Sequence, residues 1–385
     1  AIPLEAINTA AGIENNIHTG LPANLHTWWS RKPLGVARAA LFASLVNDPS
    51  EECDDENEEE VRRAHLFRIV ERLADVDSGA DEELLAEAKA EIAKSNNGTM
   101  PRFWDPFCGG GSLPLEALRL GLDPVATDLN PVAVFITRVL IELAPKFAAQ
   151  APINPESTKN ELVSGRSAYE GLREDLLYYG AQISSSLAAQ LGKLYPAVSL
   201  PGGQGNVSAQ PIAWVWARTV ECPNPSCRAH APLVNKFWLS THKGNEAFAD
   251  PIYVNETRRF RFEVRHNGQP KGGTVTRSGA ICLACNNPIS FDHIRAEGVA
   301  GRVDYQMMAM VVDGPRSRVY LPPDQEQEAA AKVGPPDSAP DSALPASALG
   351  FRVQKYGLVR HRDLFTNRQL VALSCLADAI ASVRE

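Results

Sequence analysis

The fold of this chain is indicated most clearly by the run Trp104-Asp105-Pro106-Phe107-Cys108-Gly109-Gly110-Gly111-Ser112. It predicts a strand that ends in an acid and opens into three glycines, which let the backbone approach a ligand closely. The helical pattern from Leu113 to Leu120 ends at Gly121, and Val125 to Asp128 predicts a second strand that also ends in an acid. This order of strand, glycine loop, helix, strand and acid is typical of the nucleotide-binding half of a doubly wound sheet.

The glycine run and the second acid predict a ligand site. The alternative is a tight turn of purely structural value, because glycine serves wherever φ is positive. A dinucleotide fold needs Gly-x-Gly-x-x-Gly and a phosphate loop ends in Gly-Lys-Ser/Thr, and the sequence has neither pattern here. Cys108 has no adjacent His or Lys, so we expect it to pack as a small apolar residue. The candidate cofactor-binding residues of this region are Asp105, Pro106, Phe107, Cys108, Gly109, Gly110, Gly111, Ser112, Asp128 and Asn130.

Length and hydropathy predict a globular protein. The 385 residues are enough for two or three domains, and 44% of them are hydrophobic. The chain has no run of about 18 or more apolar residues, which a membrane-spanning helix needs. Residues 1–5 show no charged leader before an apolar run. The sequence therefore predicts no membrane span, no signal peptide and a cytoplasmic protein.

The charge is unevenly distributed along the chain. The net charge is −8, and residues 51–100 alone carry −10, whereas residues 211–280 carry +5. A locally basic face can follow DNA phosphates while the acidic segment faces away, although a solvated surface with a chance imbalance is an equal alternative. The candidate basic residues are Arg228, Lys236, Lys243, Arg258, Arg259, Arg261, Arg265 and Lys271.

Four of the seven cysteines form two close pairs, Cys222-x4-Cys227 and Cys282-x2-Cys285. Each pair lies in a short turn rich in Pro or Asn, which is typical of knuckles that present two thiolates to one zinc ion. Four thiolates close the coordination shell, so such a zinc is structural. Two redox pairs or unrelated buried thiols are the alternatives, and His230 is a possible replacement for one cysteine.

Over nearly all of its 385 residues, the sequence resembles the N-terminal portion of the zinc-ribbon-containing adenine-specific DNA methylases. The matching stretches are the glycine loop, Leu25 to Leu34, Trp214 to Pro225 and Arg362 to Leu370. The resemblance implies a Rossmann-like class I methyltransferase sheet with a helical insertion and an inserted β-rich zinc-ribbon domain. It also implies S-adenosylmethionine as the cofactor and a structural Zn²⁺.

The resemblance assigns roles to individual residues. Asp128 would bind the ribose hydroxyls, and the loop from Asp105 to Ser112 would approach the methionine and adenosine parts. His26 with Lys32 and Pro33 is similar to a His-Pro-x-x-Lys-Pro segment that lines the cofactor pocket, although the spacing differs. Trp28 and Trp29 either pack on the sheet or stack on the cofactor or a base.

The family's acceptor motif, Asp-Pro-Pro-Tyr or Asn-Pro-Pro-Tyr, has no match in the sequence. The nearest stretches are Leu321-Pro322-Pro323-Asp324 and Gly334-Pro335-Pro336-Asp337, which lack the aromatic that stacks on a flipped base. The resemblance implies that the motif lies further along a longer polypeptide, so we expect this chain alone not to methylate DNA.

The implied function is transfer of a methyl group to the N6 amine of adenine in DNA, within bacterial restriction or anti-phage defence. The implied partners are DNA and ATPase or helicase-like defence proteins. Two alternatives remain open. One is RNA guanine-N2 methylation, because some of those enzymes have a similar loop, and the other is a non-catalytic DNA-binding or cofactor-sensing module.

These observations predict five segments. Residues 1–150 form an S-adenosylmethionine-binding α/β domain with an acidic helical insertion at about 51–98. A helical connector (151–211) leads to the β-rich zinc-ribbon domain (212–320). A Pro/Ala/Ser linker (321–350) and a C-terminal helical segment (351–385) follow.

Overall fold

The computed structural model describes residues 2–157, 168–202, 205–314, 317–346, 350 and 352–383. The protein is mixed α/β, with small sheets that are mostly antiparallel. It divides into two compact units, Ala1–Leu177 and Tyr178–Glu385.

The first unit is mainly helical. Its helices are α1 (Leu4–Glu14), α2 (Leu34–Leu45), α3 (Glu56–Ala74), α4 (Glu82–Ser95), α5 (Ser112–Arg119), α6 (Pro131–Arg138) and α7 (Ala144–Phe147), with a π-helical turn at Val139–Leu143. Helix α2 begins directly after Pro33, and Phe42 on its apolar face is completely buried. Phe42 packs in a core shared with α3 and α4, which the acidic segment supplies.

Strand β1 (Arg102–Asp105) and strand β2 (Asp123–Ala126) form a parallel pair with α5 between them in the chain. This strand–helix–strand unit agrees with the sequence prediction. The larger doubly wound sheet is not confirmed, because β1 and β2 are the only parallel strands in the described parts of the chain. Parallel neighbouring strands need a long crossover connection. Most of the later strands instead follow one another through short connections, so they pair antiparallel.

A buried ion pair connects three helices of the first unit. Arg38 on α2 is fully buried, and its guanidinium donates to the carbonyl oxygens of Leu73 and Asp75 at 3.1 Å. Its Nη1 atom lies 3.4 Å from a carboxylate oxygen of Glu116 on α5. Burial lowers the pKa of Arg38 and raises the pKa of Glu116, which also accepts a hydrogen bond from Arg119 at 2.6 Å.

The second unit is built from antiparallel sheets. The boundary between the units falls within α8 (Glu170–Leu191). The strands of the second unit are β3 (Val198–Gly202), β4 (Gly205–Ala209), β5 (Pro211–Glu221), β6 (His230–Leu233), β7 (Trp238–Ser240), β8 (Ala247–Val254), β9 (Arg259–Arg265), β10 (Gly279–Ile281), β11 (Pro288–Ser290), β12 (Asp304–Asp313) and β13 (Arg318–Leu321). The main sheet has the order β13-β12-β5-β6, and β7-β8-β9, β3-β4 and β10-β11 form smaller sheets. The remaining helices are α9 (Phe291–Val299), α10 (Gln325–Ala330) and α11 (Asn367–Ser382).

Residues 321–350 differ from the predicted linker, because they contain α10 and a buried polar side chain. Gln327 is 1% exposed, accepts a hydrogen bond from Trp214 Nε1 at 2.8 Å and donates one to the Pro196 carbonyl at 2.6 Å. Asp324 caps the helix by accepting from the Gln327 N–H at 2.9 Å. Composition cannot anticipate this contact, because one amide group satisfies partners that lie far apart in the chain.

The predicted helical connector contains α8 and also the hairpin β3–β4. Each of the five predicted segments includes residues outside the described ones, namely 1, 158–167, 203–204, 315–316, 347–349, 351 and 384–385. In the described portion of the protein, no helix is long and apolar enough to cross a lipid bilayer.

Replacing Arg38 by Met should destabilise the first unit. The substitution leaves Glu116 in the interior with only Arg119 as a charged partner, and breaking a buried pair costs about 3 kcal/mol or more. Urea unfolding followed by circular dichroism measures the loss. The double variant Arg38→Met/Glu116→Gln should recover part of it, and equal stability of Arg38→Met and the unmodified protein would contradict the assigned role.

Candidate functional site

The glycine loop lies at the carboxyl ends of the parallel strands. After β1, Phe107 N–H donates to the Asp105 carboxylate at 3.1 Å, and Cys108 N–H donates to the Thr127 carbonyl at 3.0 Å. Gly111 has φ of +80° at the start of α5, a conformation that favours glycine. The loop therefore connects both strand ends to the first turn of α5.

Asp128, the second of the two acidic positions, is bonded to the backbone of the glycine loop. Its carboxylate accepts from the Gly109 N–H at 2.9 Å and from the Asn130 N–H at 2.8 Å. The hydrogen bond from the Asn130 backbone, followed by that from Gly109, holds the pKa of this carboxyl below its usual value. Asp128 is half-buried, and each oxygen keeps a further lone pair for a hydroxyl donor.

Trp28 explains why two consecutive positions of the loop are glycine. A Cβ atom on Gly109 would lie 2.7 Å from Trp28 Nε1, and one on Gly110 would lie 3.2 Å from Trp28 Cβ. The indole therefore packs directly on the loop backbone, and it meets Trp29 edge to face at 5.1 Å between ring centroids. Trp28 thus packs on the glycine loop and not on the strands, while Trp29 is 87% exposed.

Thr137 on α6 is a loop contact that sequence reasoning missed. Its hydroxyl lies 3.5 Å from Cys108 Sγ and donates to the Gly109 carbonyl at 3.3 Å. A Cβ atom on Gly111 would lie 2.8 Å from the same hydroxyl. No local sequence signal marks a threonine within an apolar helix for this contact, because the contact forms only when α6 packs against the loop.

The other candidate residues lie in different environments. Cys108 is buried, and burial raises the pKa of its thiol, as expected of a packing residue. Ser112 is buried in the first turn of α5, and Asn130 caps α6 by accepting from Val132 N–H at 3.0 Å. The sequence-predicted neighbours Pro106 and Phe107 are exposed, and Phe107 is 83% exposed.

Lys32 and Pro33 precede α2, where Lys32 is exposed and Pro33 occupies the position before the first helical residue. The contact from this segment to the glycine loop is made by Trp28. His26 is exposed, and its Nδ1 lies 2.8 Å from the Thr27 carbonyl oxygen.

The four predicted cysteines meet in the second unit. Their sulfur atoms all lie within 4.8 Å of one another, so the group can hold a metal ion. Cys222 and Cys285 are 3.7 Å apart, and Cys227 and Cys282 are 3.8 Å apart. Zinc–sulfur bonds of about 2.3 Å in a tetrahedron place sulfurs about 3.8 Å apart, whereas a disulfide needs about 2.05 Å.

The two knuckles have the same backbone design. Each second cysteine is followed by a residue in the left-handed region, Arg228 with φ of +49° and Asn286 with φ of +60°. The turns are closed by Cys227 N–H to the Asn224 carbonyl at 2.9 Å and by Asn286 N–H to the Cys282 carbonyl at 2.8 Å. The resulting local geometry directs both thiols of each pair towards the same point.

The protonation tendencies of the thiols differ. Burial raises the pKa of Cys222 and Cys282. Burial also opposes ionisation of Cys285, but the backbone N–H of Asn287 and the neighbouring thiols outweigh it and lower its pKa to about 7. His230 does not belong to the metal-binding group formed by the described residues, which consists of the four sulfurs. The all-cysteine ligand set is therefore the one that the geometry supports.

Most cations of the predicted basic face form ion pairs with acidic side chains. Five of its members have acidic partners: Arg228 with Glu221 (2.7 Å), Arg259 with Asp304 (2.9 Å), Arg261 with Glu263 (2.9 Å), Arg265 with Asp250 (2.9 Å) and Lys271 with Asp250 (3.7 Å). The net charge of +5 already counts Glu221, Asp250 and Glu263, so residues 211–280 stay net positive, but these five cations are paired with carboxylates.

Comparison with known proteins identifies one region. A family model described as "Protein of unknown function (DUF1156)" matches residues 1–69, which include α1, α2 and most of α3. No curated protein and no solved structure matches the chain.

Metal analysis should find one zinc ion per chain, bound by the four cysteines. Cys282→Ser should abolish stoichiometric zinc and lower the melting temperature of the second unit, because this thiol lies in the core that the cysteines share. Cys53→Ser in the first unit and His230→Ala should both retain the metal. Metal-free protein with intact cysteines, or loss of zinc in His230→Ala, would contradict the ligand assignment.

Proposed function

We propose that the first unit binds S-adenosylmethionine beside the glycine loop. The observation that carries the proposal is the Asp128 carboxylate, which accepts the Gly109 N–H at the carboxyl end of a parallel strand pair. Ligands of α/β folds bind outside the carboxyl ends of parallel strands, where backbone N–H groups and an acid can meet a nucleoside. The resemblance of the loop to adenine-specific DNA methylases supports this cofactor over other nucleosides.

The proposed roles follow from the contacts of each residue. Asp128 has unused lone pairs for the ribose hydroxyls, and its ionised form is favoured by the backbone N–H groups that it accepts. Gly109 and Gly110 let Trp28 pack directly on the loop backbone, which holds the loop in place. Phe107, which is largely exposed, is available to pack against the adenine ring.

S-adenosylmethionine, when bound, supplies an electrophilic methyl group, and the proposed acceptor is the N6 amine of adenine in DNA. The chain's own contribution is to hold the cofactor in one orientation, which lowers the entropic part of the barrier. The adenine must be extruded from the duplex before its amine can reach the methyl group. We assign no residue of this chain to the acceptor amine.

The four cysteines have a structural role in this proposal. Four thiolates around one Zn²⁺ leave no open position for water or substrate, so the ion would stabilise the second unit. We further propose that the protein works in the cytoplasm, where reducing conditions keep these thiols free for metal, and that its partners are DNA and defence-system ATPases or helicases.

Calorimetry with S-adenosylmethionine and S-adenosylhomocysteine tests the cofactor assignment. Asp128→Ala should weaken binding by about tenfold or more, because hydrogen bonds to a charged group contribute about 1.5–3 kcal/mol. Cys108→Ala should have a smaller effect, since its thiol is buried against Thr137.

Asp123→Ala is the matched control. Asp123 begins the same strand at its opposite end, where it is 72% exposed at its side chain and pairs with Arg102. Its removal should leave cofactor affinity unchanged, and circular dichroism checks the folding of each variant. Equal losses in Asp128→Ala and Asp123→Ala, or no binding by the unmodified protein, would exclude the proposed site.

A further inference from the structure

The second unit contains a cavity of about 870 Å³ that neither proposed cofactor uses. One wall is the face of the main sheet that carries Trp216, Arg218 and Tyr305, and another is formed by Phe365 and Asn367 near the start of α11. A second cavity of about 660 Å³ shares four of these residues, namely Trp216, Tyr305, Phe365 and Asn367. The two cavities therefore adjoin at these four residues, three of which are aromatic.

The sheet register explains how this wall forms. Trp216 and Arg218 occupy alternate positions of β5, so their side chains project from the same face. Tyr305 on β12 lies directly opposite Arg218 in the antiparallel register. The Arg218 guanidinium lies over the Tyr305 ring at 5.8 Å from its centroid, so the pair presents a planar cation beside an aromatic face.

The aromatic surface of this wall remains accessible. Tyr305 is 41% exposed and Phe365 is 43% exposed, although both line cavities in a folded unit. The two cavities they line, of about 870 and 660 Å³, are large enough for a small planar ligand, since ligand sites typically measure about 300–1,000 Å³. An aromatic ring that enters either cavity can stack on these side chains.

The charge of the larger cavity favours an anion. Its lining includes Arg218, Arg352 and Arg362, whereas its acidic member, Asp363, accepts the backbone N–H groups of Val359 and Arg360 at 2.8 and 2.7 Å. Arg362 pairs with Asp341, which lies outside the lining. Arg218 has no carboxylate partner among the residues that the structure describes.

We propose that this cavity binds unpaired nucleotides of single-stranded DNA. A base would stack on Tyr305 and Trp216, and its phosphate would meet the Arg218 guanidinium, which matches phosphate oxygens with two parallel N–H donors. A paired duplex keeps its bases stacked inside the helix, so only an unpaired strand can place a base here. The choice of DNA over RNA rests on the proposed methyltransferase function, whereas the stacking site itself rests on the second unit alone.

Fluorescence anisotropy of labelled oligonucleotides of about 12 residues tests the inference on the full zinc-loaded chain. Single-stranded DNA should bind more tightly than the matching duplex, than single-stranded RNA of the same sequence and than free dAMP. Tyr305→Leu and Arg218→Gln should each weaken single-strand binding by about tenfold, because stacking contributes about 1–3 kcal/mol per base. Loss of one phosphate contact in Arg218→Gln should also reduce the salt dependence, log Kd against log salt, by about 0.7.

Two variants serve as matched controls. Lys193→Gln removes one exposed positive charge near the end of α8, and Tyr320→Leu removes one tyrosine from β13, and neither residue lines the two cavities. Both controls should bind single-stranded DNA like the unmodified protein. Quenching of Trp216 fluorescence by the oligonucleotide, lost in Trp216→Phe, locates the strand at this wall.

The anisotropy titrations contain no S-adenosylmethionine, so their outcomes test this inference separately from the cofactor proposal. Absence of single-strand binding would overturn the inference. So would equal losses in the control and cavity variants, a preference for duplex or RNA, or dAMP binding as tightly as the oligonucleotide. Failure of Asp128→Ala to affect cofactor affinity would leave the single-strand result unchanged.

Discussion

The buried pair of Arg38 and Glu116 is the interaction on which the first unit depends. Two ionised groups in the interior lose their hydration, and their attraction compensates only when further hydrogen bonds satisfy the guanidinium and carboxylate. Arg38 donates to two backbone carbonyls near the end of α3 and Arg119 supports Glu116, while Arg38 Nη1 and Glu116 Oε2 meet as an ion pair without a hydrogen bond. The pair therefore holds α2, α3 and α5 in one arrangement, which apolar contacts alone would specify less sharply.

The position of the glycine loop follows from that arrangement. Helix α5 begins at Ser112, directly after the loop, and carries Glu116 one turn further on. The chain leading into α2 carries Trp28, which packs on Gly109 and Gly110. Because α2 and α5 are joined through the buried pair, the indole and the loop backbone are brought to the same place. Asp128 then completes the loop by accepting the Gly109 N–H.

The second unit is built from small sheets, and its main sheet has four strands. The four cysteine sulfurs join two knuckles to the buried core around Val220 and Ile289. Near the C-terminal end of this unit, Arg368 is buried against both the Tyr195 and Trp214 rings, at 4.6 and 4.8 Å from their centroids, and the two rings contact each other. This stacking attaches α11 to β5, and the wall that carries Trp216 and Arg218 lies on the same strand.

The sequence alone determined the local elements and the chemistry of both candidate sites. Apolar periodicity and a glycine stop predicted α5, the helical C-terminal segment contains α11, and cysteine spacing predicted the four thiols that now meet. Tertiary structure decided what local pattern cannot express: the pairing of most strands as antiparallel sheets, the burial of Gln327 in a segment of linker composition, and the ion pairs between arginines of β9 and carboxylates of β8 and β12. The physical reason is distance along the chain. Helix periodicity and knuckle spacing act over a few residues, whereas Trp28 on Gly109, Arg38 beside Glu116 and Arg218 over Tyr305 join residues that only the folded chain brings together.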